Sequence, residues 1–124
     1  MTRAVTPILL VDDHDDVREG LKNIFEAEGC GVETARDPRE ALNKLRGGFT
    51  PCIILLDLMS PIMNGIDFHR ELKSDPRLGR IPLLAYAGVK DVRTKARLLA
   101  SDEVTEVPAE IDRLLAAVRQ HCLC

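Results

Sequence analysis

The feature that most constrains the fold is a series of short, uninterrupted apolar runs separated by longer amphipathic stretches. The first run covers residues 8–11, and the most apolar one covers residues 52–56. Strands that are covered on both faces have this continuous apolar character, which is typical of a parallel sheet between helices. The sequence therefore predicts an α/β fold in which residues 52–56 form a central strand.

The stretches between these runs have the periodicity of amphipathic helices. We expect the second helix to begin with Asp37 as its N-cap and Pro38 in its first turn, and to end at Gly47 and Gly48. The other helices each carry an apolar stripe. In the first helix the stripe is Val17, Leu21, Ile24 and Phe25; in the third, Phe68 and Leu72; in the fourth, Val92, Ala96 and Leu99; and in the fifth, Ile111, Leu114, Leu115 and Val118.

Further strands are predicted at residues 32–35, 81–86 and 104–107, which completes a (βα)5 chain. A chain of 124 residues has the size of one domain, so residues 1–124 are interpreted as a single unit.

Composition argues against several functions. A net charge of −3 gives no electrostatic footprint for nucleic acid or for an anionic membrane. No apolar run approaches the roughly 20 residues of a membrane-spanning helix, and a cytoplasmic location is expected. In such a reducing compartment the four cysteines, Cys30, Cys52, Cys122 and Cys124, are expected to be free thiols.

Three aspartates follow two of the predicted strands. Asp12 and Asp13 end the first run, and Asp57 ends the central run. Ligands of open parallel sheets bind beyond the carboxyl ends of the strands, where the strand order reverses. Carboxylate oxygens suit Mg²⁺ or Mn²⁺, and an aspartate beside such an ion can act as a nucleophile towards phosphorus. The sequence therefore predicts a divalent-metal site made of these three side chains.

An alternative explains each aspartate singly. Strand-to-helix turns often carry Asp as a helix cap, and Asp13 or Asp15 could cap the first helix. On the same view, His14 is a surface residue or a neighbour of the cap. The occurrence of three aspartates after two strands favours the metal site.

Three segments, residues 8–14, 53–65 and 81–84, resemble the receiver domain of two-component response regulators. In the middle segment Met59, Pro61 and Gly65 follow Asp57 by two, four and eight residues, which is the spacing of that family. The resemblance covers almost the whole chain. It implies a flavodoxin-like, three-layer (βα)5 sandwich with a parallel five-stranded sheet in the order 2-1-3-4-5.

The resemblance also implies roles for the acidic residues. Asp57 would accept a phosphoryl group from a histidine kinase or a phosphotransfer protein. Asp13, Asp57 and the backbone carbonyl of Met59 would ligate Mg²⁺, with Asp12 acting through a bound water. Output would pass to a downstream protein by protein–protein contact, without turnover catalysis and without direct binding to nucleic acid or membrane.

Three positions depart from the pattern of the family. Ala87 stands where the family has Thr or Ser, Val107 where it has Lys, and Val104 where it has an aromatic switch residue. Lys90 or Arg93 could supply a substitute cation. Tyr86, beside Ala87, is interpreted as simple filling of the core.

These departures leave alternatives open. The chain could be a receiver-like interaction module that works without phosphorylation. A phosphatase of the haloacid-dehalogenase type is disfavoured because Met59 stands where a second Asp is needed. A flavodoxin is disfavoured because Asp12 and Asp13 would repel the FMN phosphate.

Overall fold

The computed structural model describes residues 7–57, 65–87, 104–106 and 111–122, and these contain one parallel sheet with helices on both faces. The strands are β1 (Ile8–Val11), β2 (Val32–Ala35), β3 (Ile54–Asp57), β4 (Leu83–Ala87) and β5 (Val104–Glu106). The helices are α1 (Asp15–Ala27), α2 (Pro38–Arg46), α3 (Gly65–Lys73) and a C-terminal helix (Ile111–His121), with a short 3-10 turn at Leu78–Arg80.

The strand order is β2-β1-β3-β4-β5, and every neighbouring pair is parallel. This confirms the flavodoxin-like arrangement. The chain moves outwards to β2 on one side of β1 and then returns to β3 on the other side. The order therefore reverses between β1 and β3, and a crevice is expected at their carboxyl ends.

Both faces of the sheet are buried, which explains the uninterrupted apolar runs. Alternate residues of β1 and β3 point to opposite faces, as strand geometry requires. One face packs on α1 and the C-terminal helix, and the other packs on α2 and α3. The first face includes Ile8, Leu10, Ile53, Leu55, Leu84 and Tyr86, and the second includes Leu9, Val11, Ile54 and Leu56.

The helix signals in the sequence are confirmed in α2, where the Asp37 side chain accepts a hydrogen bond of 2.9 Å from the backbone N–H of Glu40. In α1 the predicted stripe was too wide. Leu21 and Phe25 are buried, but Ile24 is 39% exposed because the contact with the sheet is made by its two neighbours on the stripe. The predicted fourth helix, with Val92, Ala96 and Leu99, lies outside the described residues. Within the described part of the chain, no helix has the length and apolar character needed to cross a membrane.

The prediction of free thiols was wrong for the described cysteines. Cys52 and Cys122 form a disulfide with a Cα–Cα distance of 5.3 Å, and Cys30 is disulfide-bonded as well. Cys52 lies two residues before the first residue of the central strand, and Cys122 immediately follows the C-terminal helix. That helix returns to the amino end of the sheet, so two cysteines 70 residues apart in sequence meet there.

We expect the Cys52–Cys122 disulfide to contribute substantially to stability, because it closes a long loop in the unfolded chain. In the chain-entropy model a loop of this length corresponds to about 4 kcal/mol. Guanidinium denaturation without reductant should show the free energy of unfolding lowered by about this amount in the C52A/C122A double variant. A denaturation midpoint that is the same in C52A/C122A and in the wild type would contradict a stabilising role of this disulfide.

Candidate functional site

The carboxyl ends of β1 and β3 bring the acidic residues together. Asp12 follows Leu10 by two positions and Asp57 follows Leu55 by two, so both side chains continue the face of the sheet that packs on α1. Asp12 is 2% exposed and Asp57 is 5% exposed, which is unusual for carboxylates. The convergence of Asp12 and Asp57 follows from strand order and strand parity together, and Asp13 is the next residue after Asp12.

The cluster has the size of a metal site. Asp12, Asp13, His14 and Asp57 each present one possible ligand atom, and all four atoms lie within 4.8 Å of one another. Bonds of about 2.1 Å to Mg²⁺ place opposite ligands about 4.2 Å apart, so small side-chain movements suffice. In addition, Asp13 Oδ1 is buried and accepts no hydrogen bond from the described residues. Hard oxygen donors in this arrangement fit Mg²⁺ or Mn²⁺.

His14 lies over the centre of this cluster. Its Nδ1 atom is 3.0 Å from Asp12 Oδ1, 3.3 Å from Asp13 Oδ1 and 3.3 Å from Asp57 Oδ2. The hydrogen bond to Asp12 and then the charges of Asp13, Asp12 and Asp57 raise the pKa of His14 above its ordinary value of 6.5, against an opposing effect of burial. The imidazolium form of His14 therefore compensates part of the carboxylate charge.

The capping alternative is not supported. The N-cap of α1 is His14, and its side chain makes no capping hydrogen bond. Asp12 Oδ1 instead accepts a hydrogen bond of 2.8 Å from the backbone N–H of His14, which fixes the turn between β1 and α1. His14 is exposed and lies at the cap of α1, as expected, and it also belongs to the site.

Tyr86 lies in the core as expected, but the sequence did not reveal its polar contact. Its hydroxyl donates a buried hydrogen bond of 2.6 Å to Asp12 Oδ2. Burial, followed by the charge of Asp12 and the hydrogen bond to it, raises the pKa of the Tyr86 phenol well above its ordinary value. The phenol therefore remains protonated and acts as a hydrogen-bond donor at neutral pH.

A third unanticipated residue is Arg18, on the first turns of α1. Its Nη1 donates to the backbone carbonyl of Asp12 at 2.9 Å, and its Nη2 lies 2.6 Å from Asp15 Oδ1. The Arg18 side chain is only 11% exposed. It places a fixed positive charge beside the acidic cluster, on the α1 side.

The remaining positions singled out in the sequence are described only in part. Ala87 ends β4 opposite Glu106, and Val104 begins β5 opposite Ala85. Met59, Val107, Lys90 and Arg93 lie outside the described residues. Their proposed roles stay predictions.

Comparison with known proteins decides the family. The sequence model of the family named response regulator receiver domain matches residues 8–119 of this chain. The chain belongs to this family. The match confirms the resemblance to receiver domains that the sequence showed. Receiver domains act in two-component signalling.

The chain spans different shares of the length of the proteins to which it is similar. An uncharacterised 14.6 kDa protein of Leptolyngbya boryana is 34% identical over 98% of this chain and 94% of its own length. The DNA-binding response regulator MtrA of Mycolicibacterium smegmatis is 36% identical over 90% of this chain, which spans only 48% of that protein. The response regulator TrrA of Thermotoga maritima, solved in complex with Mg²⁺-BeF, has a TM-score of 0.80 and 26% identity over 93% of this chain and 97% of its own.

The raised pKa of His14 gives a pH prediction for the metal-free receiver domain. Because the pKa of His14 is above 6.5 in the folded state, its contribution to stability is complete below pH 6.5 and is lost as pH rises through the folded-state pKa. A proton NMR titration should show the His14 pKa above 6.5 and closer to 6.5 in the D12N variant, since Asp12 is the largest cause. D112N, which changes an exposed aspartate in the C-terminal helix, serves as the control. A His14 pKa unaffected by D12N would contradict this geometry.

Proposed function

We propose that the chain is a receiver whose Asp57 accepts a phosphoryl group from the phosphohistidine of a histidine kinase or a phosphotransfer protein. The observation that supports this most is the buried Asp57 carboxylate at the end of the central strand, within 4.8 Å of the ligand atoms of Asp12, Asp13 and His14. Receiver domains interact with histidine kinases, which supply the class of donor. We further propose that residues 1–124 form one receiver domain.

Asp13, Asp57 and the backbone carbonyl of Met59 would hold Mg²⁺, and Asp12 would act through a bound water. The ion supplies positive charge that offsets the oxygens of the incoming phosphoryl group. The imidazole of His14 is 56% exposed, so it is free to turn towards solvent when a cation takes its place among the carboxylates.

In the chemical step the side chain of Asp57 is the nucleophile. One of its carboxylate oxygens forms a bond to phosphorus while the phosphorus–nitrogen bond of phosphohistidine breaks, and the electron pair of that bond stays on the imidazole nitrogen. The product is an aspartyl phosphate. Burial of Asp57 limits the access of water, which would otherwise hydrolyse this anhydride-like bond.

The phosphoryl group would have few partners on the β4 and β5 side of the site. Ala87 has no hydroxyl, and Val107 has no charge. A hydrogen bond to a charged group is worth about 1.5–3 kcal/mol, so phosphorylation has less free energy available to shift a conformational equilibrium. Lys90 or Arg93 would have to supply any replacement cation, and Val104 offers no aromatic ring for a switch. We propose that output passes through contact with a downstream protein in the cytoplasm, without turnover catalysis and without direct contact to nucleic acid or membrane.

A second candidate function, an interaction module that works without phosphorylation, is favoured by Ala87 and Val107. Hydrogen exchange separates the two functions. In a switch, phosphorylation changes protection in Val104–Glu106 and Ile111–His121; in a constitutive module, those segments exchange at the same rate with and without the phosphoryl group.

The phosphoacceptor proposal predicts a covalent adduct on one residue. After incubation with acetyl phosphate and Mg²⁺, intact-mass spectrometry should find one added phosphoryl group on the wild-type protein. D57N should lose the adduct completely, because an amide oxygen is a poor nucleophile, and D112N should retain it.

Calorimetry provides an independent check on the metal site. Mg²⁺ affinity should fall about tenfold or more in D13N, by analogy with the loss seen when groups supporting a metal are removed, and should be unchanged in D112N. Absence of an adduct with every phosphodonor, together with intact Mg²⁺ binding, would favour the constitutive module.

A further inference from the structure

Tyr86 makes a hydrogen bond that crosses the central strand. Its backbone lies on β4, where it is the register partner of Asp57 on β3. Its hydroxyl nevertheless reaches Asp12, which follows β1 on the far side of β3, at 2.6 Å from Oδ2. Tyr86 is 2% exposed. The phenol therefore spans the site beside the proposed phosphoacceptor.

With this hydrogen bond, each oxygen of the Asp12 carboxylate accepts from a donor. Oδ1 accepts from the backbone N–H of His14 at 2.8 Å, and Oδ2 accepts from Tyr86. With both oxygens held by donors on different elements, the carboxylate cannot rotate without breaking one of these bonds. Hydrogen bonds to a buried charged group are short and strong, and they orient the group as well as stabilise it.

Core filling alone does not explain this residue. A phenylalanine would fill the same space, and a buried hydroxyl without an acceptor would be unfavourable. The Tyr86 hydroxyl has an acceptor, and that acceptor is a carboxylate of the site. The hydroxyl thus has a specific partner that packing does not require.

We propose that Tyr86 is a positioning residue of the metal and phosphoacceptor site, acting through Asp12; this inference rests on the function proposed above. It supplies a neutral donor from β4 to the carboxylate of Asp12. A neutral donor holds the carboxylate in place without competing with a divalent cation for negative charge.

The test compares Y86F, which removes only the hydroxyl, with the wild-type protein. Calorimetry should show Mg²⁺ binding weakened about tenfold in Y86F, as for other groups that orient a metal-site carboxylate. The Mg²⁺ concentration that half-saturates phosphorylation by acetyl phosphate should rise by about the same factor in Y86F, because Tyr86 acts on the affinity for the metal. Far-UV circular dichroism checks that Y86F remains folded.

A double-mutant cycle separates positioning from packing. If Tyr86 acts through Asp12, Y86F has no further effect on Mn²⁺ or Mg²⁺ affinity in a D12A background. Equal weakening of metal binding in both backgrounds would overturn the proposal, and so would unchanged affinity in Y86F alone.

Spectroscopy tests the hydrogen bond without any metal. The sequence has one tyrosine and no tryptophan, so near-ultraviolet absorbance and fluorescence report Tyr86 directly. D12A should move the Tyr86 absorbance band to shorter wavelength, because a phenol that donates to a carboxylate absorbs at longer wavelength. Mg²⁺ should change the Tyr86 fluorescence of the wild type.

The outcomes of these experiments are distinguishable. A wild-type protein that binds no Mg²⁺ contradicts the proposed function and the positioning role together. A wild-type protein that binds Mg²⁺ and forms the adduct, with Y86F indistinguishable from it, overturns the positioning role alone. An absorbance band unchanged in D12A removes the contact on which the role depends.

Discussion

The mutual repulsion of three carboxylates at the carboxyl ends of β1 and β3 is the constraint on which the rest of the site depends. Asp12 and Asp57 are buried, where charge is costly unless it is paired or hydrogen-bonded. The fold brings them together because the strand order reverses between β1 and β3. Among the described residues, His14 and Tyr86 contact these carboxylates, and a divalent cation is the compensation that fits the oxygen donors best.

Three of the described residues place polar or charged groups beside this cluster. His14 covers the carboxylates from the solvent side, Tyr86 donates from β4, and Arg18 lies on the side of α1. These groups differ in how they respond to a cation. His14 occupies the space among the carboxylate oxygens and is exposed enough to leave it. Tyr86 binds the carboxylate of Asp12 from β4, and Arg18 binds the backbone carbonyl of Asp12 from α1.

The sequence predicted the elements whose signals are local. The continuous apolar runs that end in Asp12, Asp13 and Asp57 were sufficient to predict the sheet and the acidic residues at its edge. Asp37 was sufficient to predict where α2 begins. Contacts between distant elements were missed. The bond from Tyr86 to Asp12 joins residues 74 apart, and the Cys52–Cys122 disulfide joins residues 70 apart. To predict either contact, one would need to know the order of the strands, the face of the sheet on which each side chain lies, and how far each side chain extends.

The Tyr86 contact also bears on how a receiver domain can tolerate Ala87 and Val107. A lysine on the last strand would bring a full positive charge to the carboxylates, whereas the phenol brings a dipole and no net charge. Without that lysine, the cluster keeps more negative charge for a divalent cation to bind. The same absence removes the donor that would hold a phosphoryl group after transfer. On the function proposed above, the site would therefore be better suited to binding the metal than to relaying phosphorylation, because Val107 has no charge and the phenol of Tyr86 is neutral.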